Sequence, residues 1–284
     1  MTDAAAAPTD LEHAMEVEAW RRERYERLRQ RMSWLTLVGL DWLRPGENRI
    51  GTDPTNDVVL PAGAPTAGRL VVDRGTVTAV AEPGAGLAHE GQPVDRIGLV
   101  SDADAPPGIG PTLLELGRLR LCLIRRGDRL ALRTWDTEAE ALRRFAGIPH
   151  FPVSAAWRFD ARFEPATGDT LAVPDVLGFV EEEPSAGSVA FERHDVEHRL
   201  QALPGGDAGE LWLIFADATN GAETYAGGRY LYTAAPRGGR VVVDLNRAYN
   251  PPCVFTPYAT CPLPWTSNRL PFRVEAGEMV PEPA

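Results

Sequence analysis

Apolar residues recur along this chain in two rhythms. Between Thr9 and Arg31, Leu11, Met15 and Ala19, then Tyr25, Leu28 and Met32, stand three or four positions apart, which is the spacing of one helical face. Thr9 and Glu12 form a capping box at its start, and the dense Glu/Arg mix predicts a solvated outer face laced with ion pairs. Beyond Ser33 the rhythm shortens to alternation. It predicts strands over 34–38, 48–50, 58–60, 69–72, 76–80, 118–124 and 129–134, separated by turns at Arg44-Pro45-Gly46, Asp73-Arg74-Gly75 and Arg126-Gly127-Asp128.

Residues 137–144 fit a short connecting helix, and alternation then resumes. Strands are predicted over 157–163, 170–173, 188–193, 198–202, 211–216, 229–233, 240–245 and 272–275. Many short strands with turn signals between them argue for sandwiches or barrels. The expected fold class is therefore all-β. Residues 1–32 are a disordered start up to Pro8 and an amphipathic helix; 33–136 form a β-sandwich, 137–150 a linker, and 151–284 a second β-barrel or β-sandwich.

The segment from Asp244 to Glu278 breaks the pattern. Pro251, Pro252, Pro257, Pro262 and Pro264 each remove a backbone donor, so neither a helix nor a central strand fits. Tyr249, Phe255, Tyr258 and Trp265 carry too much aromatic surface for disorder. A long, rigid, ordered loop follows, and such loops are commonly functional.

Composition narrows the chemistry. The 284 residues carry a net charge of −11, and all 29 basic residues are Arg. An acidic chain argues against nucleic acid as a partner. The absence of Lys excludes Schiff-base chemistry, a Lys general base and a Walker-type phosphate loop. No apolar run is long enough to span a membrane, and the first fifteen residues lack a secretory pattern, so a cytoplasmic location is expected. Three cysteines are too few for a disulfide scaffold. No cofactor is indicated.

Candidate motifs divide accordingly. Asn48 to Pro61, NRIGTDPTNDVVLP, resembles the forkhead-associated domain, a β-sandwich that binds phosphothreonine. Thr52 stands where that family places Arg, and Thr66-Ala67-Gly68-Arg69 replaces its Ser-x-x-His element. The resemblance therefore implies a degenerate sandwich without phosphothreonine binding. His194-Asp195-Val196-Glu197-His198 matches H-x-x-E-H, but the flanking alternation reads as two strands joined at a turn, so no metal site is expected. The Asp217–Tyr225 stretch lacks the ligand spacing of a calcium loop.

A polar cluster is the stronger candidate. If Gly238-Gly239 is a two-residue hairpin turn, Thr233 pairs with Asp244 and Leu231 with Asn246, which places Arg229, Asp244 and Asn246 on one face. Arg229 would then meet an anionic group, Asp244, Asn246 and Asn250 would supply hydrogen bonds, and Tyr249 would wall the site. Asp217 and Glu223 could add carboxylates. The same residues could instead staple irregular backbone, and a three-residue turn would slip the register. Cys253 and Cys261 read first as buried structural thiols, with metal, redox and nucleophilic roles open.

FADATNGAETYAGGRYL, DLNRAYNPPCVFTPYATCPLP and VEAGE together resemble a prokaryotic family known only as domain of unknown function 1684. The likeness extends from Trp20 to Glu278 and includes SWLTLVGLDWLRPGENRIG. It implies an all-β, two-unit protein and carries no activity with it. The leading functional reading is a binder of a small polar or anionic molecule in the second unit, with no nucleic-acid or membrane partner. A hydrolase-like enzyme using Glu223, Asp217 or Cys253 is one alternative. A protein-interaction module built on the first unit is another.

Overall fold

The computed structural model of the chain describes residues 9–106, 108–206 and 208–281; the disordered start expected up to Pro8 lies outside them. Strands dominate and the architecture is all-β. Helix α1 (Asp10–Leu28) begins at the capping box, where the Thr9 N–H donates to Glu12 Oε2 at 2.8 Å and the Glu12 N–H to Thr9 Oγ1 at 3.3 Å. Its buried face is not the one its apolar spacing suggests. Leu11 and Met15 are 72% and 65% exposed, whereas His13 and Val17 are 2% and 0%. The surface under α1 presents carboxylates and carbonyls, so the helix turns His13, Arg21 and Arg24 toward it. Unbonded, those buried acceptors would be costly.

The chain divides into two compact units. The first, Leu28–Phe145 with Phe255–Ala259, contains β1 (Leu37–Trp42), β2 (Gly46–Gly51), β3 (Val58–Val59), β4 (Gly68–Asp73), β5 (Thr76–Ala81), β6 (Leu87–His89), β7 (Gln92–Pro93), β8 (Arg96–Leu99), β9 (Leu113–Leu116), β10 (Leu119–Arg126), β11 (Arg129–Asp136) and a short helix α2 (Glu140–Arg144). One sheet has the order β1-β11-β10-β9-β6-β7 and the other β3-β2-β4-β5-β8. Ile50, Leu70 and Val77 from the second share a single core with Leu114, Leu121 and Leu132 from the first. The sheets are thus two layers of one sandwich. Strands β6 to β9 escape the sequence reading because two to four residues are too few to display a period.

The second unit, built from α1 and the regions Ala146–Val254 and Thr260–Pro283, contains β12 (Arg158–Pro165), β13 (Thr170–Pro174), β14 (Val180–Pro184), β15 (Gly187–Arg193), β16 (Val196–Pro204), β17 (Leu211–Phe215), β18 (Arg229–Thr233) and β19 (Arg240–Asp244). Six of these form an antiparallel sheet in the order β18-β17-β16-β15-β12-β19. Leu231 of β18 and Val241 and Val243 of β19, from the two ends of that order, belong to one core with Leu200, Leu213 and Phe215. The sheet is therefore curled around it. Val173, Leu203, Ile214 and Tyr230 form a second, smaller core, against which Tyr249 and Trp265 pack.

Two turns test the motif readings. His194 and Asp195, both with positive φ, make the tight turn between β15 and β16, and Arg193 faces Val196. The H-x-x-E-H residues therefore straddle a hairpin, as their alternation predicts. Gly238 and Gly239 also form a two-residue turn, with φ of 58° and 74° and reciprocal hydrogen bonds between Arg237 and Arg240. The ladder does not continue to Thr233 and Asp244. Pro236 has no N–H to donate, and β19 pairs instead with β12, placing Asp244 opposite Arg158. The expected strand over 272–275 is irregular backbone held by side chains, and β14, rich in Glu, was not foreseen.

The docking of α1 gives a direct mutational contrast. Leu11→Ser and Met15→Ser should change unfolding free energy by no more than about 0.5 kcal/mol. Val17→Ser should cost about 2 kcal/mol in the same urea titration.

Candidate functional site

Arg229 is a fully buried charge of the second unit, with no exposed surface. It opens β18, and its hydrogen bonds go to partners other than Asp244. Its Nη2 donates to Asp217 Oδ2 at 2.7 Å and to the Val274 carbonyl at 2.9 Å, and its Nη1 to the Ala276 carbonyl. Asp217 is used at both oxygens. Oδ1 accepts the Thr219 N–H at 2.8 Å and the Val274 N–H at 3.1 Å. Burial pushes the Arg229 guanidinium below its ordinary pKa, and the adjacent Asp217 carboxylate opposes that shift. This pair binds the C-terminal strap to the sheet and exposes no group to a ligand.

Asp244 and Asn246 form a separate knot. Asp244 Oδ2 lies 2.8 Å from His13 Nε2, and Oδ1 accepts the Asn246 side-chain amide at 2.8 Å. Asn246 in turn brackets Ser154, accepting its N–H at 3.0 Å and donating to its carbonyl at 2.9 Å. Asn250 donates its backbone N–H to Glu278 Oε2 at 2.7 Å and its side-chain amide to the Met279 carbonyl. Tyr249 stacks on Tyr232 with centroids 6.1 Å apart and is capped by Arg24, 4.7 Å above its ring. Glu223 is held by Arg273 at a surface position, which keeps its carboxyl below the usual range. The expected common face of Arg229, Asp244 and Asn246 is thus two knots bonded to protein partners, with Arg229 Nε, His13 Nδ1 and Asn250 Oδ1 buried and unpartnered among the described residues.

Three residues that sequence reasoning missed complete these knots. His13 and Arg24 sit on α1, more than two hundred positions from the groups they bond, and Glu278 has a side chain with no exposure that takes Arg24 Nε at 3.0 Å. The only signal was the excess of charge on a helix that was assigned to solvent.

What remains open lies beside them. A cleft of about 370 Å³ is formed by α1 and the 147–150 segment, lined by Arg21, Arg22, Arg24, Tyr25, Glu18 and His150 among others. Three guanidinium groups face one carboxylate, Glu18, which is already bonded to Arg21 Nη1 at 2.8 Å. Arg22 is exposed and has no hydrogen bond or ion pair among the described residues. Arg21 Nε and His150 Nε2 are buried atoms with no partner there. Burial, together with Arg21 and Arg24, lowers the His150 pKa to about 4. The imidazole is consequently neutral at pH 7 and sits in a positive field. A second cleft, about 390 Å³, is lined by Glu164, Asp169, Ser185, Ser188, Gln201 and Trp265, with Glu164 engaged by Arg199 and Arg162. Among the described residues no group of three or more His, Cys, Asp and Glu side chains could hold a metal ion, and no helix is long and apolar enough to cross a membrane.

Residues 143–279 match the family model described as Protein of unknown function (DUF1684). The match covers the second unit's strands and the strap, and it does not reach the Trp20 start suggested by the sequence motifs. An uncharacterized protein from gene locus rrnAC0354 of Haloarcula marismortui, solved by NMR, is 26% identical over 49% of this chain and 80% of its own, with a TM-score of 0.42. No curated protein matches the chain.

The Arg229 knot makes a sharp stability claim. Arg229→Met should destabilise the fold by about 3–5 kcal/mol in urea unfolding, because it strands the buried Asp217 carboxylate and the Val274, Ala276 and Glu278 carbonyls. Arg229→Met with Asp217→Leu should recover part of that loss.

Proposed function

We propose that the second unit binds a small molecule carrying a phosphate or carboxylate group, in the cleft beside α1. The observation that carries the reading is His150. Its depressed pKa reflects burial and the arginine field, and its Nε2 and the neighbouring Arg21 Nε both lack partners. An exposed, unpaired Arg22 and the buried Arg21 Nε are donors an anion would satisfy, and His150 Nε2 joins them once its ring is protonated. Arg21 and Arg24 are already fixed by bonds to Glu18, the Phe151 and Asn250 carbonyls and Glu278, so the site is preorganised.

The site that the sequence suggests at Arg229, Asp244 and Asn246 lies one structural layer from this cleft. Those residues hold the loop on which the cleft's helix rests. Catalysis through Asp217 gains no support, since its two oxygens are taken by Arg229, Thr219 and Val274, and Glu223 is bonded at Oε1 by Arg273 and does not line the cleft. For the first unit we retain a forkhead-associated-like sandwich without a phosphothreonine site. Its two-sheet core supports the first part. In support of the second, Thr52 takes the place of Arg, and the nearby Arg49 is drawn to Asp57 and the Thr55 carbonyl.

Sulfate is a suitable probe, because it does not titrate between pH 5 and 8. Calorimetric titration of the full chain at fixed ionic strength should give saturable binding, weakened about fivefold by Arg22→Ala. A bound anion favours imidazolium, so the His150 pKa rises on binding. Affinity should therefore increase as pH falls from 7 toward 5, with proton uptake, and His150→Gln should flatten that dependence. Binding that is indifferent to both substitutions rules the cleft out.

A further inference from the structure

The Pro-rich strap brings together two thiols that the anion cleft does not use. Cys253 lies in the 3-10 turn Pro252–Val254, and Cys261 eight residues later, just before Pro262. The Cys253 N–H donates to Cys261 Sγ at 3.1 Å, and the two thiol groups hydrogen-bond to each other. Their backbones are restrained on both sides. Pro251 and Pro252 precede the first and Pro262 follows the second. The Val176 N–H bonds the Cys261 carbonyl at 3.0 Å, and the Tyr230 hydroxyl donates to the Pro262 carbonyl at 2.7 Å. Moving from thiol contact to a disulfide asks for a sulfur displacement on the order of 1–2 Å.

The two sulfurs are not equivalent. Cys253 is half-buried, while Cys261 is 3% exposed. The hydrogen bond from the Cys261 thiol holds the Cys253 pKa below its ordinary value, and the same coupling, with burial, drives Cys261 upward. Cys253 is the accessible nucleophile and Cys261 the sheltered one. Two thiols alone do not make a zinc site, and no third ligand stands near them among the described residues. Redox chemistry is what the pair can support.

We propose that Cys253 and Cys261 are a reversible redox dithiol that a small hydroperoxide oxidises to an intramolecular disulfide. With hydrogen peroxide, the Cys253 thiolate attacks one peroxide oxygen, the O–O bond breaks, and the hydroxide that leaves takes up the proton the thiol released, giving a sulfenic acid and water. The Cys261 sulfur then attacks the Cys253 sulfur. The S–S bond forms as the S–O bond breaks, and the departing hydroxide takes the Cys261 proton as water. Two thiols lose two electrons, and one peroxide becomes two waters.

Cys122 is an internal control. It is 3% exposed on β10 and burial raises its pKa to about 11. The full chain is exposed to a small excess of hydrogen peroxide at pH 7, quenched with an alkylating agent and peptide-mapped. The expected product has lost two hydrogens, links Cys253 to Cys261, leaves Cys122 alkylated, and reverts with dithiothreitol. Cys253 should react at least about tenfold faster than Cys122. In Cys261→Ser the reaction should stop at a sulfenic acid that dimedone traps at Cys253. Should that variant not fold, the wild-type map decides alone. Oxidation of Cys122 at the same rate, over-oxidation of Cys253 without a Cys253–Cys261 link, or disulfides only between molecules would overturn the proposal.

Discussion

A fully buried arginine is the constraint on which the second unit depends. Removing the Arg229 guanidinium from water costs several kcal/mol, and only a paired carboxylate with further acceptors offsets that. Asp217 supplies the charge, and the carbonyls of Val274, Ala276 and Glu278 take further donors, leaving Nε without a partner among the described residues. Those carbonyls belong to an irregular strap that has no ladder of its own, so the arginine provides the hydrogen bonds that a strand partner would otherwise give. Gly277, at φ 80°, sits where an added Cβ would lie 2.4 Å from the Ala248 carbonyl oxygen. The strap can therefore close onto the Leu245–Arg247 turn only with glycine there.

From that closure the rest follows in layers. Fixing the strap places Glu278 in the interior, where it collects the Asn250 N–H and Arg24. Arg24 and the His13–Asp244 contact then orient α1, a helix whose docking adds these polar bonds to the burial of Val17 and Leu28. An oriented α1 presents Arg21 and Arg22 beside His150, and the cleft is complete. Binding chemistry here is a by-product of how an irregular loop is satisfied. The arginines of the interior and those of the cleft divide the work: Arg229 has no solvent, whereas Arg22 is exposed and unpaired among the described residues.

Much of the fold could be read from the chain. Alternation located most strands of more than four residues, the Thr9–Glu12 box located the start of α1, and prolines identified the strap. The very short strands and the acidic β14 left no periodic trace. The site was less legible, for a physical reason. Reading Arg229 with Asp244 assumed that a tight Gly-Gly turn propagates a hairpin, yet Pro236 and the competing strand β12 end the ladder after one pair. Side-chain contacts such as His13–Asp244 join positions 231 apart, and nothing local encodes them. The helix misled for a related reason, because its apolar spacing marks Leu11 and Met15 while its docking also draws on charged residues.

The central claim is that Arg229 is structural and the arginines beside His150 are receptive. Nitrogen-15 NMR of the arginine Nε and histidine ring signals, followed during a sulfate titration of the full chain, tests it most directly. The account predicts saturable shifts at Arg21 Nε and His150 Nε2 with Arg229 Nε unmoved. Shifts that track Arg229, or stationary Arg21 and His150 signals throughout the titration, would contradict it.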